Sequence, residues 1–330
     1  MIVARAPFRV TIGSGVGDVL AIHAGASASV ISATLDSYVY VTAHLRQDTR
    51  VVAGWSKREV VESAPALENS IVRACLARVG FEHGIEVHFV SELPIHASGM
   101  GGSASAATAL LVALWGLRGF VIAPGIAAEA AAAVEIDDLK RTVGKQDHYA
   151  AAFGGLQRLT FQPNGRVTSN AMPASLLDFL DGLAWLSPCR GDGRDAHSLL
   201  TDQVKAPTCH HVAARLDRLA DMADQSVRGQ NVQSVIAVLN EAWECKKSLS
   251  ASVSSPEIDA AIEGVKAFGG GAKLCGAGGS GYILAVIPRS NVEPFLKCYP
   301  DAIQAHFGGR GAHVIHDDGK RAPFIDGLKP

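Results

Sequence analysis

Apolar and polar positions along the chain alternate or cluster in ways that predict a mixed set of elements. Residues 2–12 read as a β-strand, and so do 30–35 and 37–45, joined at Asp36. In the last of these, Tyr38, Tyr40 and Thr42 interleave with Val39 and Val41, the mark of a half-buried strand. Apolar runs at 85–90 and 156–161 predict two more, the second followed by a turn at Pro163-Asn164-Gly165. Helices are predicted over 69–80, over 104–117 and over the alanine-rich stretch 126–140. A short apolar run at 149–153 ends at Gly154-Gly155.

Beyond residue 183 the pattern changes. A strand at 183–186 leads through a Gly191-Asp192-Gly193 loop to helices at 212–227, 232–249 and 256–266, the last opened by Pro256. Gly269-Gly270-Gly271 breaks the pattern. Strand-like runs at 273–274 and 282–287, a helix at 292–298 and a last strand at 313–316 follow. This order predicts an α+β unit with an antiparallel sheet. We expect one domain over 1–178 and a second over 179–330.

The length of 330 residues suits two ordinary domains, and 48% hydrophobic residues permit a substantial core. A net charge of −2 argues against nucleic acid or an anionic membrane as partner. No stretch reads as a signal peptide or membrane span; 104–117 runs straight into Arg118-Gly119 and reads as a buried helix. The six cysteines form no Cys-x-x-Cys pair, so a reduced, cytoplasmic chain is expected. Cys209-His210-His211 reads as a solvated loop, and His313 and His316 lie in a strand-like run; neither group is expected to bind metal.

Candidate chemistry begins between strand 85–90 and helix 104–117. Pro94, Ser98, Gly99, Met100, Gly101, Gly102, Ser103, Ala104 and Ser105 form a glycine-rich entry to a helix. Glycines let backbone approach a bulky anion, and a helix start presents free N–H groups with a partial positive charge. We expect this seat to hold the phosphates of ATP; a tight loop with a small-residue cap is the alternative. The Ser103 hydroxyl can ligate Mg2+ or cap the helix, and Ser105 is a rival cap.

A second stretch, Gly144-Lys145-Gln146-Asp147-His148-Tyr149, follows Glu135. Phosphoryl transfer needs neutralised phosphate charge and an acceptor hydroxyl held in line. One carboxylate on Mg2+ and another beside that hydroxyl meet both needs. Glu135 and Asp147 can supply them, with Asp137 and Asp138 as rival metal ligands and helix capping as the alternative for Asp147. In the third stretch, Lys273 to Gly281, Gly276, Gly278 and Gly281 match G-x-G-x-x-G. A β-like run follows where a dinucleotide fingerprint needs a helix. The loop reads as backbone close to substrate or phosphates, or as a plain glycine hairpin. A Walker-A pattern is absent.

Taken with Ala6-Pro7-Phe8-Arg9, these three stretches resemble the motifs of the GHMP kinase superfamily over essentially the whole chain. Arg5 to Arg9, Asp36 to Val41, Gly144 to Gly155 and Lys246 to Ser250 are most similar to the D-glycero-D-manno-heptose 7-phosphate kinases. The resemblance implies a first domain of the ribosomal protein S5 domain 2 type and a ferredoxin-like second domain. It implies an ATP- and Mg2+-dependent kinase acting on the anomeric hydroxyl of a sugar phosphate. It assigns Asp147 to the acceptor hydroxyl, Arg9 to the transferring phosphoryl group, and Glu135 and Ser103 to Mg2+. Asp18 would hold sugar hydroxyls, and Gly276, Gly278 and Gly279 would line the substrate. An acceptor with its own phosphate needs a second cationic pocket, for which Arg194, Lys246 and Lys247 are candidates. Gly102 stands where the family's loop has its first serine, and Gly13-Ser14-Gly15-Val16-Gly17-Asp18 departs from the family's G-G-G-T-D. These departures keep open another small-molecule kinase or a weakened binding protein. A homodimer also stays open.

Overall fold

The structure is a computed structural model that describes residues 1–189, 196–323, 325 and 327–330. The first half contains β1 (Ile2–Ile12), α1 (Gly17–Ala24), β2 (Ala28–Leu45), β3 (Val51–Gly54), β4 (Arg58–Val61), α2 (Ser70–Arg78) and β5 (Ile85–Ser91). It continues with α3 (Gly102–Leu117), α4 (Pro124–Ala133), α5 (Gln146–Phe153), β6 (Leu156–Phe161), β7 (Val167–Ala171) and α6 (Ser175–Asp181). The second half contains β8 (Ala184–Cys189), α7 (Ala196–Val204), α8 (Cys209–Arg228), α9 (Val232–Lys247) and α10 (Pro256–Ala267). It ends with β9 (Gly271–Leu274), β10 (Gly281–Val286), α11 (Val292–Cys298), β11 (Ile303–Gln304) and β12 (His313–Asp317).

One sheet runs β12-β1-β2-β5-β3-β4, with β6 on β2 and β7 on β6. The other runs β11-β8-β10-β9 and is antiparallel throughout. Numbered within the second unit alone, that order is 4-1-3-2, a ferredoxin-like sheet with α7 to α10 in its first crossover. The strand at 313–316 was expected to close this sheet. It instead pairs with β1, Arg5 opposite His313, and β11 takes the closing place. The expected boundary at 178/179 also cuts α6. We propose dividing the chain between β7 and β8, with β12 returned to the first unit.

β2 is one strand of 18 residues, not two. The break expected at Asp36 survives as a change of partner, since β6 pairs with 28–33 and β5 with 39–45. Opposite this point the β1 register slips between Pro7 and Arg9. Pro7 has no N–H to give the ladder, and past the bulge the Arg9 N–H donates to Met100 O at 3.1 Å. The bulge thus ties the first strand to the glycine loop. α1 was not anticipated. Gly17 and Asp18 open it, so Asp18 sits in a helical turn rather than a loop. Cys209 is buried in the first turn of α8 with His210 and His211 exposed beside it, again helix rather than loop. α3 is buried on every side, as a central helix with alanine on most faces should be.

Candidate active site

A cavity of about 640 Å³ opens between the two sheets at the mouth of α3. Gly101 precedes the helix at φ 76°, a left-handed conformation that glycine adopts freely. Among the described residues no side chain caps this helix, so its first amides stay available to an anion. Ser98, Gly99, Gly101, Gly102, Ser103 and Ala104 border the cavity. Pro94, Met100 and Ser105, expected in the same seat, do not. Met100 is fully buried, and the Ser105 hydroxyl donates to Pro7 O at 2.8 Å, which bolts α3 to β1.

Gly102 is explained by its neighbour. A Cβ there would lie 2.2 Å from Ile95 O and 2.8 Å from Ile95 Cα, both main-chain atoms. The serine usual in the family has no room unless the loop moves. Gly102→Ser should therefore lower stability by about 1–3 kcal/mol, the cost of overpacking, and lower turnover as well. Denaturant melts with parallel rate measurements check this; a faster, equally stable variant would contradict it.

Arg9 and Asp147 meet beside the helix mouth. Arg9 Nε donates to Asp147 Oδ1 at 2.8 Å, and a second guanidinium nitrogen lies 2.6 Å from the same oxygen. Its remaining arm donates to Gly99 O at 2.7 Å. A Cβ on Gly101 would touch Arg9 Cγ at 3.3 Å and Asp147 Cβ at 3.5 Å, so helix mouth, guanidinium and carboxylate are packed together. Among the described residues, Asp147 Oδ2 accepts no hydrogen bond. Asp147 is the second residue of α5 and does not cap it with its side chain.

Of Glu135 and its rivals Asp137 and Asp138, Glu135 reaches the cavity, while Asp137 and Asp138 are exposed and Asp138 pairs with Arg78. A widened turn over Val134–Asp138, closed by Leu139 N to Val134 O, sets this difference. Ser103 Oγ donates to Glu135 Oε1 at 3.2 Å; His148 and Arg141 lie 3.3 and 3.2 Å from the carboxylate oxygens. Burial pushes the carboxyl up, but His148 and Arg141 outweigh it and hold the group below its usual range.

The third glycine stretch joins β9 to β10 as a hairpin, and its backbone packs on the phosphate loop itself. A Cβ on Gly276 would fall 2.5 Å from Gly99 Cα, and one on Gly281 2.8 Å from Ser98 O. Tyr282 N donates to Ser98 O at 3.1 Å. Gly276 and Gly278 border the cavity; Gly279 does not, and packs toward Leu199 instead. Asp18 also stays off the cavity wall. It is fully buried, and accepts from Gln146 N at 3.0 Å and Gln146 Nε2 at 2.7 Å. Gly144 has no side chain because a Cβ would lie 1.9 Å from Asp18 Oδ2. A sugar contact through Asp18 is thus not what this geometry offers. Arg194 lies outside the described residues. Lys247 pairs with Glu244 at 3.1 Å and does not face the cavity, whereas Lys246 and Lys273 do.

Trp55, Asn69, Ile71, Phe89, Ile95 and His96 also line the cavity, and no motif in the sequence points to them. Asn69, expected as the first residue of α2, caps it instead, accepting from Val72 N at 3.1 Å. Trp55 sits on a hairpin too short to show a period.

Two sheets, a glycine-capped helix and a carboxylate–arginine pair at its mouth define the frame in which comparisons with known proteins fall. The GHMP kinases N terminal domain matches residues 66–155 and the GHMP kinases C terminal domain matches 222–297. The chain belongs to the GHMP kinase family and is a phosphotransferase with an alcohol group as acceptor. It is similar to D-glycero-alpha-D-manno-heptose 7-phosphate kinase of Campylobacter jejuni, 23% identical over 319 residues, covering 89% of this chain and 91% of the relative. A D-glycero-D-manno-heptose 1-phosphate kinase from Bacteriodes thetaiotaomicron shares the fold with a TM-score of 0.75 at 20% identity, over 96% of this chain and 99% of that one. Streptococcus pneumoniae phosphomevalonate kinase, solved with phosphomevalonate and AMPPNP, does so with a TM-score of 0.75 at 11% identity, over 96% and 100%. Among the described residues no helix is long and apolar enough to cross a membrane.

Proposed function

We propose that the chain is an ATP- and Mg2+-dependent sugar kinase that phosphorylates the anomeric hydroxyl of D-glycero-D-manno-heptose 7-phosphate, giving the 1,7-bisphosphate. The observation that carries this reading is Asp147, which borders the cavity while its Oδ1 is fixed by Arg9 beside the α3 mouth. The apolar lining of Trp55, Ile71 and Phe89 suits a nucleobase, and the amides of α3 bordering the same cavity suit its phosphates.

In this reading the acceptor hydroxyl donates its proton to Asp147 as its oxygen attacks the terminal phosphorus, and ADP leaves. Arg9 holds the carboxylate in place and offsets charge near the transferring group. Ser103 and Glu135 fit Mg2+. Their oxygens stand 3.2 Å apart, near the roughly 3 Å edge of an octahedron with bonds of about 2.1 Å. Among the described residues no group of three His, Cys, Asp or Glu side chains could hold a metal. That suits an ion held mainly by one carboxylate, a hydroxyl and phosphates. Bound there, Mg2+ would neutralise phosphate charge. Gly102 does not argue for lost chemistry, since the missing hydroxyl is a matter of space.

The test is ADP release over a panel of the heptose 7-phosphate, other sugar phosphates, free sugars, mevalonate and homoserine. The heptose 7-phosphate should turn over fastest, and chelating Mg2+ should cut the rate by more than about 100-fold. Turnover of mevalonate or homoserine with no sugar phosphate accepted would overturn the assignment.

A further inference from the structure

Two lysines reach the cavity from the second unit, and among the described residues neither meets a carboxylate. Lys273, in β9, donates to the Thr11 hydroxyl at 2.7 Å. Lys246, at the end of α9, donates to the carbonyls of Leu274 at 3.1 Å and Gly276 at 2.6 Å. They are 4% and 5% exposed. Among the described residues no Asp or Glu pairs with either. Burying an ammonium without a counter-charge is strongly unfavourable. Burial pulls Lys246 down to about 7, with Lys273 adding to it, and burial pulls Lys273 down to about 8.

A third polar group in the same place is also unmet. Ser14 is 2% exposed and borders the cavity, and its hydroxyl, which lies against Gly17, has no partner among the described residues. It belongs to the loop whose Gly15 packs on Lys273, where a Cβ would lie 3.5 Å from Nζ. Arg9 acts electrostatically on both lysines and also holds Asp147, so this polar corner adjoins the residue that meets the acceptor hydroxyl. The nucleotide phosphates have partners of their own in the α3 amides, Arg9 and the Ser103–Glu135 pair. Loop 13–15 belongs to none of these.

We propose that Lys246 and Lys273, with the Ser14 and Thr11 hydroxyls, seat a phosphate monoester carried by the acceptor alcohol itself, and so select phosphorylated acceptors over neutral ones. The inference rests on the kinase reading above but not on which sugar is bound. A site built around unpaired buried cations rejects an analogue that lacks the anion, because the cations are then left unmet.

The test uses the full chain saturated with AMPPNP and Mg2+, so that the nucleotide seat is filled. Inorganic phosphate and the heptose 7-phosphate are titrated by calorimetry into wild type, Lys246→Gln and Lys273→Gln. Glutamine removes the charge while keeping an amide donor on a side chain one bond shorter. Each variant should bind both probes at least tenfold more weakly, with AMPPNP affinity within twofold of wild type. Trp243 borders the cavity 5.6 Å from Lys246 Nζ, and its fluorescence gives a second readout. Unchanged probe binding overturns the proposal. So does a parallel loss of AMPPNP affinity, which would assign the lysines to the nucleotide and leave the kinase reading intact. A wild-type chain that binds no AMPPNP would overturn the kinase reading and this proposal with it.

Discussion

Asp147→Asn should lower turnover by about 10²–10⁴-fold, the range typical of losing a positioned general base, while ATP affinity stays within about twofold. Asparagine keeps the shape of the side chain and one oxygen for Arg9, but it cannot take a proton from the acceptor hydroxyl. The fold should survive the change, because Arg9 keeps its bond to Gly99 O at 2.7 Å. Asp147→Ala is the harsher variant, since it strands a guanidinium whose side chain is 6% exposed. Its stability cost should stay below the roughly 3–5 kcal/mol of a broken buried pair, because Asp147 is itself 29% exposed. Steady-state ADP release and nucleotide titrations on both variants check these outcomes. Near wild-type turnover in Asp147→Asn would remove this residue from the chemistry.

Asp18→Ala should lower kcat by about 100-fold with little change in the KM for the acceptor. α5 has no side-chain cap of its own, and Asp18 supplies one from α1 by gripping Gln146 through both main chain and side chain. Asp147 is the next residue. Releasing this anchor lets Asp147 drift, and a displacement of about 1 Å can cost about 100-fold in rate. A direct sugar contact would instead raise the acceptor KM, so the split between the two constants separates the roles. Asp18 also imposes a pH dependence. Burial, more than the neighbouring Asp147, raises its pKa to about 6. The folded state therefore holds the proton more tightly than the unfolded chain, where the value is about 3.9. The stability this contributes is complete below about pH 4 and is lost as pH rises through about 6, roughly 3 kcal/mol in all. Acidifying from pH 7 to 5 should stabilise wild type relative to Asp18→Ala; parallel denaturation curves that do not diverge would contradict the assignment.

Several features of the site were open to a reader of the sequence alone. A phosphate loop is a local device, so Gly99 to Ser103 before an apolar helix could be read without any tertiary information. The spacing on α9 is equally informative. Val235, Leu239 and Ala242 mark its buried face, and one further turn reaches Lys246 while leaving Lys247 to one side. The hairpin β3–β4 and the helices α1, α6 and α7 were missed, since four to nine residues carry too little period to read.

By itself the sequence determined the long helices and the two glycine stretches, because backbone freedom and burial periodicity are written residue by residue. Strand β6 and helix α11 have the limits their apolar runs predict. Only the tertiary structure decided which acidic residue faces Ser103, that Asp18 braces a helix, and that β12 crosses back to β1. It also decided that Gly102 has no space for a side chain. The first three depend on atoms dozens to hundreds of positions away along the chain, and the last on how the loop folds Ile95 back over the helix start; no local pattern records what will be packed against them.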